Sequence, residues 1–418
     1  MSSLTADQKQ ALDTQAVKNF REYLQIPSVH PDVNYEPCVK FLEKQASSLG
    51  LPVKVISVVP GKPIVILTWI GKEPTLPSIL LNSHMDVVPV FEEKWTYKPF
   101  SAHIDDKGNI YARGAQDMKC VGIQYLEAIR RLQFQSVTLR RTIHVSFVPD
   151  EETGGVDGMK AFIKTNDFKN LNIGFALDEG MASPNNEYPV FYAERVIWQM
   201  HIHCPGHPGH GSLLLENTAG EKASYILNKL YEFRKEQQKK LKDNPNLTIG
   251  DVTTVNLTEV KGGVQANVIP PEFILTVDSR LAITVDFKKW EETLNTWCRD
   301  AGQGVYIEYE QKQSLIEPTK VDNSNSYWVA FKQATDELGL TLKPQVFTGG
   351  TDSRYIRAIG IPAFGFSPIN NTSILAHEND EFLNTATFLK GILYYEKIIE
   401  KIGNLTGYVK KNEKRLKM

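Results

Sequence analysis

Apolar residues recur along this chain at two periods, and the period changes with position. Val17, Phe20 and Leu24 follow at helical spacing after Thr5-Ala6-Asp7-Gln8, which has the form of a capping box. Val39, Leu42, Ala46 and Leu49 stripe one face of a second predicted helix, which Gly50 ends. Val53–Val59, Ile64–Ile70 and Ile79–Ser83 read as strands, and Asp105-Asp106-Lys107-Gly108-Asn109 as a hairpin turn. Next come a helix over Met118–Leu132, a strand over Thr142–Val148, a helix over Met159–Thr165 and a strand over Ile173–Leu177. Strand and helix in alternation predict α/β layering, with helices covering a largely buried sheet.

Near Ala193 the pattern shifts. Val196–His203 alternates like a half-exposed strand, and Ala219–Lys240 is a long amphipathic helix. Strands at Val252–Val260 and Phe273–Leu281, a helix at Phe287–Asp300 and a strand at Val305–Gln311 complete a β-α-β-β-α-β, ferredoxin-like unit. The expectation is an inserted domain over 193–311 inside a discontinuous one of 1–192 and 312–418. After it the α/β character returns. Tyr327–Leu338 is a helix closed by Gly339, and Ile361–Phe366 is a strand. Thr385–Ile402 is a helix with Phe388, Leu389, Ile392 and Leu393 toward the core. The basic tail Lys410–Lys417 reads as a frayed, solvated end.

Composition narrows the function classes. The 418 residues allow a large core and two domains. Charged residues are 23% and the net charge is -2, which leaves no electrostatic footprint for nucleic acid or an acidic membrane. Cys38, Cys120, Cys204 and Cys298 are scattered, as suits reduced thiols in a reducing compartment. The start lacks a basic n-region and an apolar h-region, and no apolar run is long enough to span a bilayer. A cytoplasmic protein is expected, one in which the sequons at Asn256 and Asn404 stay unmodified.

Chemistry gathers at the ends of apolar runs. Ile79–Ser83 leads into His84-Met85-Asp86, and Phe147-Val148-Pro149-Asp150 into Glu151-Glu152. Phe175-Ala176-Leu177 leads into Asp178-Glu179, and Asp117 stands just before a helical pattern. His377 comes late, in His377-Glu378-Asn379-Asp380-Glu381. Singly, each has an ordinary explanation: a core histidine, an N-cap, a solvated pair of acids. Together they lie where open α/β sheets bind ligands, beyond the carboxyl ends of strands. Adjacent carboxylates repel, so a cleft that holds them calls for cations. Two imidazoles and three carboxylates suit two divalent ions, zinc best, with manganese or cobalt possible. An odd carboxylate count lets one group bridge the pair. Asp86 is placed to accept the other ring N–H of His84 and fix its tautomer.

These segments, with Gly114-Ala115-Gln116-Asp117-Met118-Lys119 and Leu177-Asp178-Glu179-Gly180, resemble the zinc aminoacylase/carboxypeptidase/dipeptidase metallopeptidases. The resemblance covers nearly the whole chain, and the ordered set of motifs is highly specific. It implies a mixed-sheet, zinc-peptidase-like catalytic domain with the inserted unit as lid and dimerisation domain. It implies Asp117 as the bridging carboxylate, His84 and Glu179 on one ion, and Glu152 and His377 on the other. Glu151 becomes the general base, with Asp86 supporting His84. Gly206–Ser212 matches the lid segment whose histidine, here His210, crosses into the partner's site in dimeric members. Asn267 and Arg280 match lid residues that grip substrate. Gly349-Gly350-Thr351-Asp352-Ser353-Arg354 matches the substrate-carboxylate loop, which places Gly350, Thr351 and Arg354 at the substrate. The chain departs from the aminoacylase members at Leu213-Leu214, where they carry Arg-Phe, and at the Gly349-Gly350 pair.

The resemblance therefore implies an amidohydrolase with two zinc ions per subunit, a homodimer, cleaving N-acyl-L-amino acids to a carboxylate and a free amino acid. A dipeptidase or carboxypeptidase of the same fold is the alternative. A non-catalytic ligand-binding derivative is a third reading, disfavoured by the intact Glu151.

Overall fold

The computed structural model describes residues 4–406; the tail Lys410–Lys417 lies outside them. The chain divides into two compact units. The first comprises residues 1–192, 317–344 and 350–418, and the second 193–316 with 345–349.

The first unit is built on an eight-stranded mixed sheet. In spatial order its strands are Val53–Val59, Lys62–Trp69, Ile143–Val148, Ser78–His84, Ile173–Asp178, Ala363–Gly365, Glu187–Glu194 and Thr341–Phe347. Ser78–His84 pairs in parallel with Ile143–Val148 on one side and Ile173–Asp178 on the other. Every residue of Ser78–His84 and Ile143–Val148 is buried. Strands buried on both sides in this way sit where helices cover both faces of a sheet. Because the three strands are parallel and adjacent, their carboxyl ends come out side by side.

Helix Lys119–Phe134 packs so closely on these strands that a Cβ on Gly122 would stand 2.7 Å from Phe147 and from Ser83. Helices Ala6–Leu24 and Thr385–Gly403 meet through Phe20 and Phe388, stacked with centroids 4.3 Å apart. The Thr5–Gln8 capping box forms, and Gly50 ends its helix in the left-handed conformation, φ 64°.

The second unit has a four-stranded antiparallel sheet in the order Thr254–Lys261, Glu272–Leu281, Val196–Pro205, Tyr306–Lys312. Numbered along the chain, that is order 2-3-1-4. Val196–Pro205 alternates strictly after its first residues. Trp198, Met200, Ile202 and Cys204 join a core with Ile226 and Leu230 of helix Ala219–Asp243 and Trp290 and Leu294 of helix Phe287–Ala301. The alternate residues Gln199, His201 and His203 carry the polar face.

Some local expectations fail for identifiable reasons. Leu393 is exposed, and the face of its helix is filled by Tyr394 and Tyr395 instead. The helix expected over Met159–Thr165 ends at Phe162, and a separate short helix, Asn166–Asn170, begins after it, capped by the side chain of Thr165. Glu187–Glu194 and Thr341–Phe347 are strands that the apolar pattern does not announce. Each contains a proline, Pro189 or Pro344, and the second is an edge strand with little burial.

Candidate metal centre and active site

His84 ends its strand, Glu151 and Glu152 open the turn after Val148, and Glu179 follows Asp178. Asp117 stands just before helix Lys119–Phe134, whose N-cap is Met118, so the Asp117 side chain is not used as a cap. His377 arrives from a distant loop in the left-handed conformation, φ 67°.

The six side chains converge. His84 Nε2 lies 3.1 Å from Asp117 Oδ1 and 3.6 Å from Glu179 Oε2. His377 Nε2 lies 3.2 Å from Asp117 Oδ2 and 3.1 Å from Glu152 Oε2. Asp117 thus presents one oxygen to each imidazole. His84, Asp117 and Glu152 form one close group of ligand atoms, and His84, Glu151 and Glu179 another.

Hydrogen bonding decides which nitrogen of His84 faces the cluster. Nδ1 lies 2.8 Å from the main-chain carbonyl of Asp86, which only accepts, so Nδ1 carries the proton. Nε2 then faces two carboxylates, Asp117 and Glu179, an arrangement that either a proton on Nε2 or a bound metal ion reconciles. The acceptor is the Asp86 carbonyl and not, as expected, its carboxylate, which stands 3.8 Å from the ring. A carboxylate two residues on in an extended chain overshoots, whereas the carbonyl lies nearer. The Asp86 carboxylate instead accepts the amides of Glu151, at 3.3 Å, and Glu152, at 3.0 Å, and pairs with His30 Nε2 at 2.8 Å.

The charges are strongly perturbed. Burial pushes Glu151 well above the carboxylate range, helped by Glu179, and it raises Glu179 likewise, helped by Asp117. Burial acts the same way on Asp117, but hydrogen bonds to His377 and His84 outweigh it and hold Asp117 low. Those to Asp117 and Glu152 push His377 up to about 10.

Divalent ions fit this cradle. Ligands about 2.0–2.1 Å from a tetrahedral zinc ion stand about 3.3 Å apart, and the contacts above bracket that figure. Glu152 Oε1 is buried with no hydrogen-bond partner, a vacant ligand position by chemistry. Nitrogen and carboxylate donors without thiolate suit zinc.

The turn holding the two glutamates is tightly built. Asp150, at φ 70°, is fixed by Lys62 at 2.6 Å and Thr153 at 2.8 Å. Gly155 has φ 64°, and a Cβ there would stand 2.6 Å from Asp352 Oδ1. Asp352 is itself buried and its carboxyl is pushed well up, by burial first and Asp178 second. Arg354 Nη2 and the Tyr355 hydroxyl both donate to the Gly154 carbonyl, at 2.8 and 2.5 Å. Thr351 is buried beside this turn's partners, its hydroxyl accepting the Ser353 amide, and Gly350 is half-buried before it.

His210, Asn267 and Arg280 belong to the second unit. His210 pairs with Val268 in a two-stranded ribbon, and the Gly211 amide donates to the Asn267 carbonyl at 2.8 Å. His210 Nδ1 accepts the Ser212 amide at 3.2 Å, which leaves the N–H on Nε2. Arg280 makes a fork to Asp278 at 2.9 and 3.0 Å, a pairing that the sequence reading did not foresee. Four residues around the centre also went unremarked: His30, Arg113, Asp352 and Glu381. His30 carried no signal, whereas Asp352 and Glu381 sit inside the motifs quoted above and Arg113 immediately precedes one.

A model for Peptidase family M20/M25/M40 matches residues 80–401. The chain belongs to this family. Aminoacylase-1 of Homo sapiens is 48% identical over 390 residues, spanning 93% of this chain and 96% of that protein. The solved structure of the aminopeptidase PepT from Bacillus cereus matches with a TM-score of 0.72 at 20% identity, over 94% of this chain and 99% of that one. A Bacillus subtilis protein described as a dinuclear metal binding peptidase of the M20 family matches with a TM-score of 0.67 at 16% identity, over 93% and 98% of the two chains. At those identities the solved structures establish the fold. The M20 chain is a metal-dependent amidohydrolase, and its fold and ligand cluster agree with that membership.

Proposed function

We propose that the chain hydrolyses N-acyl-L-amino acids to a carboxylate and a free L-amino acid, using two zinc ions per subunit. The observation that carries this is Asp117, with one oxygen toward each imidazole, beside the buried carboxyl of Glu151. The aminoacylase relative, matched over nearly its whole length, supplies the substrate class. His84 and Glu179 would hold one ion, Glu152 and His377 the other, with Asp117 shared. When bound there, zinc supplies a Lewis acid that polarises an acyl carbonyl and makes water acidic near neutral pH.

The chain's own groups do the rest. Glu151 takes the proton from the attacking water and delivers it to the leaving nitrogen. Asp86 fixes the backbone of Glu151 and Glu152 through their amides, and fixes the His84 tautomer through its carbonyl. Gly350, Thr351 and Arg354 form the carboxylate-binding loop, and Arg280 and Asn267 grip the substrate from the second unit, which acts as the lid. Arg280 would exchange its Asp278 fork for the substrate's carboxylate, since a guanidinium presents the same fork to either.

The protein acts as a homodimer in the cytoplasm, and His210 of the partner subunit donates a hydrogen bond from its Nε2–H to the developing oxyanion. Leu213 and Leu214, close to His210 on the ribbon, are exposed, as a surface awaiting a second copy would be. Four free, buried cysteines suit a reducing compartment. A hydrolysis screen of N-acetyl, N-formyl and longer N-acyl amino acids alongside dipeptides tests the reading. Turnover of dipeptides alone would replace it with an exopeptidase.

A further inference from the structure

Two loops far apart in sequence carry Asp117 and His377, and a buried ion pair joins them. Arg113 Nη1 lies 2.8 Å from Glu381 Oε2, with both residues almost wholly buried. Each member of the pair also holds the backbone of the other's loop. Arg113 donates to the Glu378 carbonyl at 2.9 Å and to the His377 carbonyl at 3.3 Å. Glu381 accepts the amides of Gly114 at 3.1 Å, Gln116 at 2.6 Å and Asp117 at 3.2 Å. The Gln116 side chain adds a third tie, donating to the Ser373 and Phe382 carbonyls and accepting the Leu375 amide.

A buried ion pair is a costly way to gain stability, because desolvation offsets most of the attraction. What this one fixes is register. His377 reaches the centre only as part of its loop, in a left-handed conformation, and its ring must meet Asp117 Oδ2 and Glu152 Oε2 together. Helix Lys119–Phe134 and strand Ser78–His84 hold the other side of the centre rigidly; the His377 loop has no such element.

We propose that Arg113 and Glu381 are a reciprocal clamp, positioning residues that set His377 against Asp117 and so govern the affinity of the ion that His377 and Glu152 hold. The inference rests on the two-ion reading given above. Both residues are buried, and their bonds run to the two ligand-bearing loops.

The test uses the full chain, stripped of metal and titrated with zinc against a competing chelator. Glu381→Gln removes the charge at constant shape. Arg113→Lys keeps the charge but cannot reach both carbonyls. Glu127→Gln is the matched control, since Glu127 is a buried acid bonded to Asn19 and Arg130, away from the ligand loops. Loss of a hydrogen bond behind a ligand weakens metal binding by about 10–100-fold. That loss is expected in Glu381→Gln and Arg113→Lys, on one ion only, with no further loss when Glu381→Gln is combined with His377→Ala. Glu127→Gln should lower thermal stability without moving either affinity. Wild-type binding of both ions in folded Glu381→Gln and Arg113→Lys, or equal weakening by Glu127→Gln, overturns the proposal.

Amide exchange at Gly114, Gln116 and Asp117 in metal-free protein keeps this separate from the two-ion reading. Faster exchange there in Glu381→Gln supports the clamp whatever the ions do, and unchanged exchange rejects it. A wild-type chain that binds fewer than two ions rejects the two-ion reading instead, and with it the effect on affinity. If neither clamp variant folds, the pair is a core element and the proposal falls.

Discussion

The turn bearing Glu151 and Glu152 is held from three sides. Asp86 takes both amides, Lys62 and Thr153 fix Asp150, and Arg354 with Tyr355 fixes the Gly154 carbonyl. The ribbon bearing His210 is a pair of two-residue strands, its histidine exposed and braced by Ser212 from within its own turn. Both carry groups assigned to one reaction. Ligands for metal must hold a fixed spacing through the whole cycle, and small displacements are costly. Under the proposed reading, His210 meets the substrate late, and such a group has to be free to arrive. The turn in the first unit is braced by several partners and the ribbon in the second mainly by its own turn, and each variant below tests one side of that difference.

The largest effect is expected on the side of the braced turn. Glu151→Gln removes the proton acceptor while keeping the side-chain volume and the Asp86 bond to the residue-151 amide. Turnover should fall toward the upper end of about 10²–10⁴-fold, with zinc content unchanged. Elemental analysis and kcat on one sample decide it. An active Glu151→Gln would take the base role away from this residue, and one that loses zinc would make Glu151 a ligand.

On the side of the ribbon, His210→Ala should cost about 10²–10³-fold in kcat, the usual loss of one preorganised donor. If His210 of the partner subunit acts in trans, mixing His210→Ala with Glu151→Gln chains should restore part of the activity, because one hybrid site regains both groups. Verified heterodimers without rescue would confine His210 to its own subunit.

A smaller effect is expected where the two sides exchange partners. Arg280 is already forked to Asp278, so on the proposed reading a substrate carboxylate would have to compete for it. Amidating the carboxylate of N-acetyl-methionine leaves the guanidinium with its old partner and should lower kcat/KM by about 30-fold, the size of roughly 2 kcal/mol. Arg280→Lys should weaken the acid far more than the amide. Equal turnover of the two substrates would free Arg280 from substrate recognition.

The same contrast explains what the sequence discloses. His84, Glu151-Glu152 and Glu179 are legible because each ends a buried run, and the sheet brings those ends together. The alternation of Val196–Pro205 is legible because one face of its strand is core and the other polar. Tertiary partners are not legible in this way. The link from His30 to Asp86 joins positions 56 residues apart and leaves no local period. The choice of the Asp86 carbonyl over its carboxylate depends on a backbone path beyond the strand, which residue types do not encode. Glu381 stands inside a recognised motif, yet its four donors come from the Arg113–Asp117 loop, some 265 residues earlier. Leu393 shows the reverse error: an apolar residue assigned inward by type, while neighbouring tyrosines fill the face.

The smallest effect concerns the first unit away from the centre. His144, in the buried strand Ile143–Val148, has Nδ1 2.9 Å from the Thr68 hydroxyl, and burial holds its pKa down to about 4. An exposed histidine in the unfolded chain titrates near 6.5. Above pH 6.5 both states are neutral here and the contribution to stability is complete. As pH falls from 6.5 toward 4 the unfolded chain takes up the proton first, so stability drops with falling pH and the loss levels off once the folded group is also protonated. By pH 5 the loss amounts to about 2 kcal/mol. His144→Gln cannot titrate. With metal removed from both proteins, so that the centre contributes equally, the wild type's stability relative to His144→Gln should decrease by that amount between pH 7.5 and pH 5 in urea unfolding. A difference that stays constant across the range would mean that the ring is charged in the folded chain or reaches water, and that this part of the sheet is less sealed than its all-buried pattern indicates.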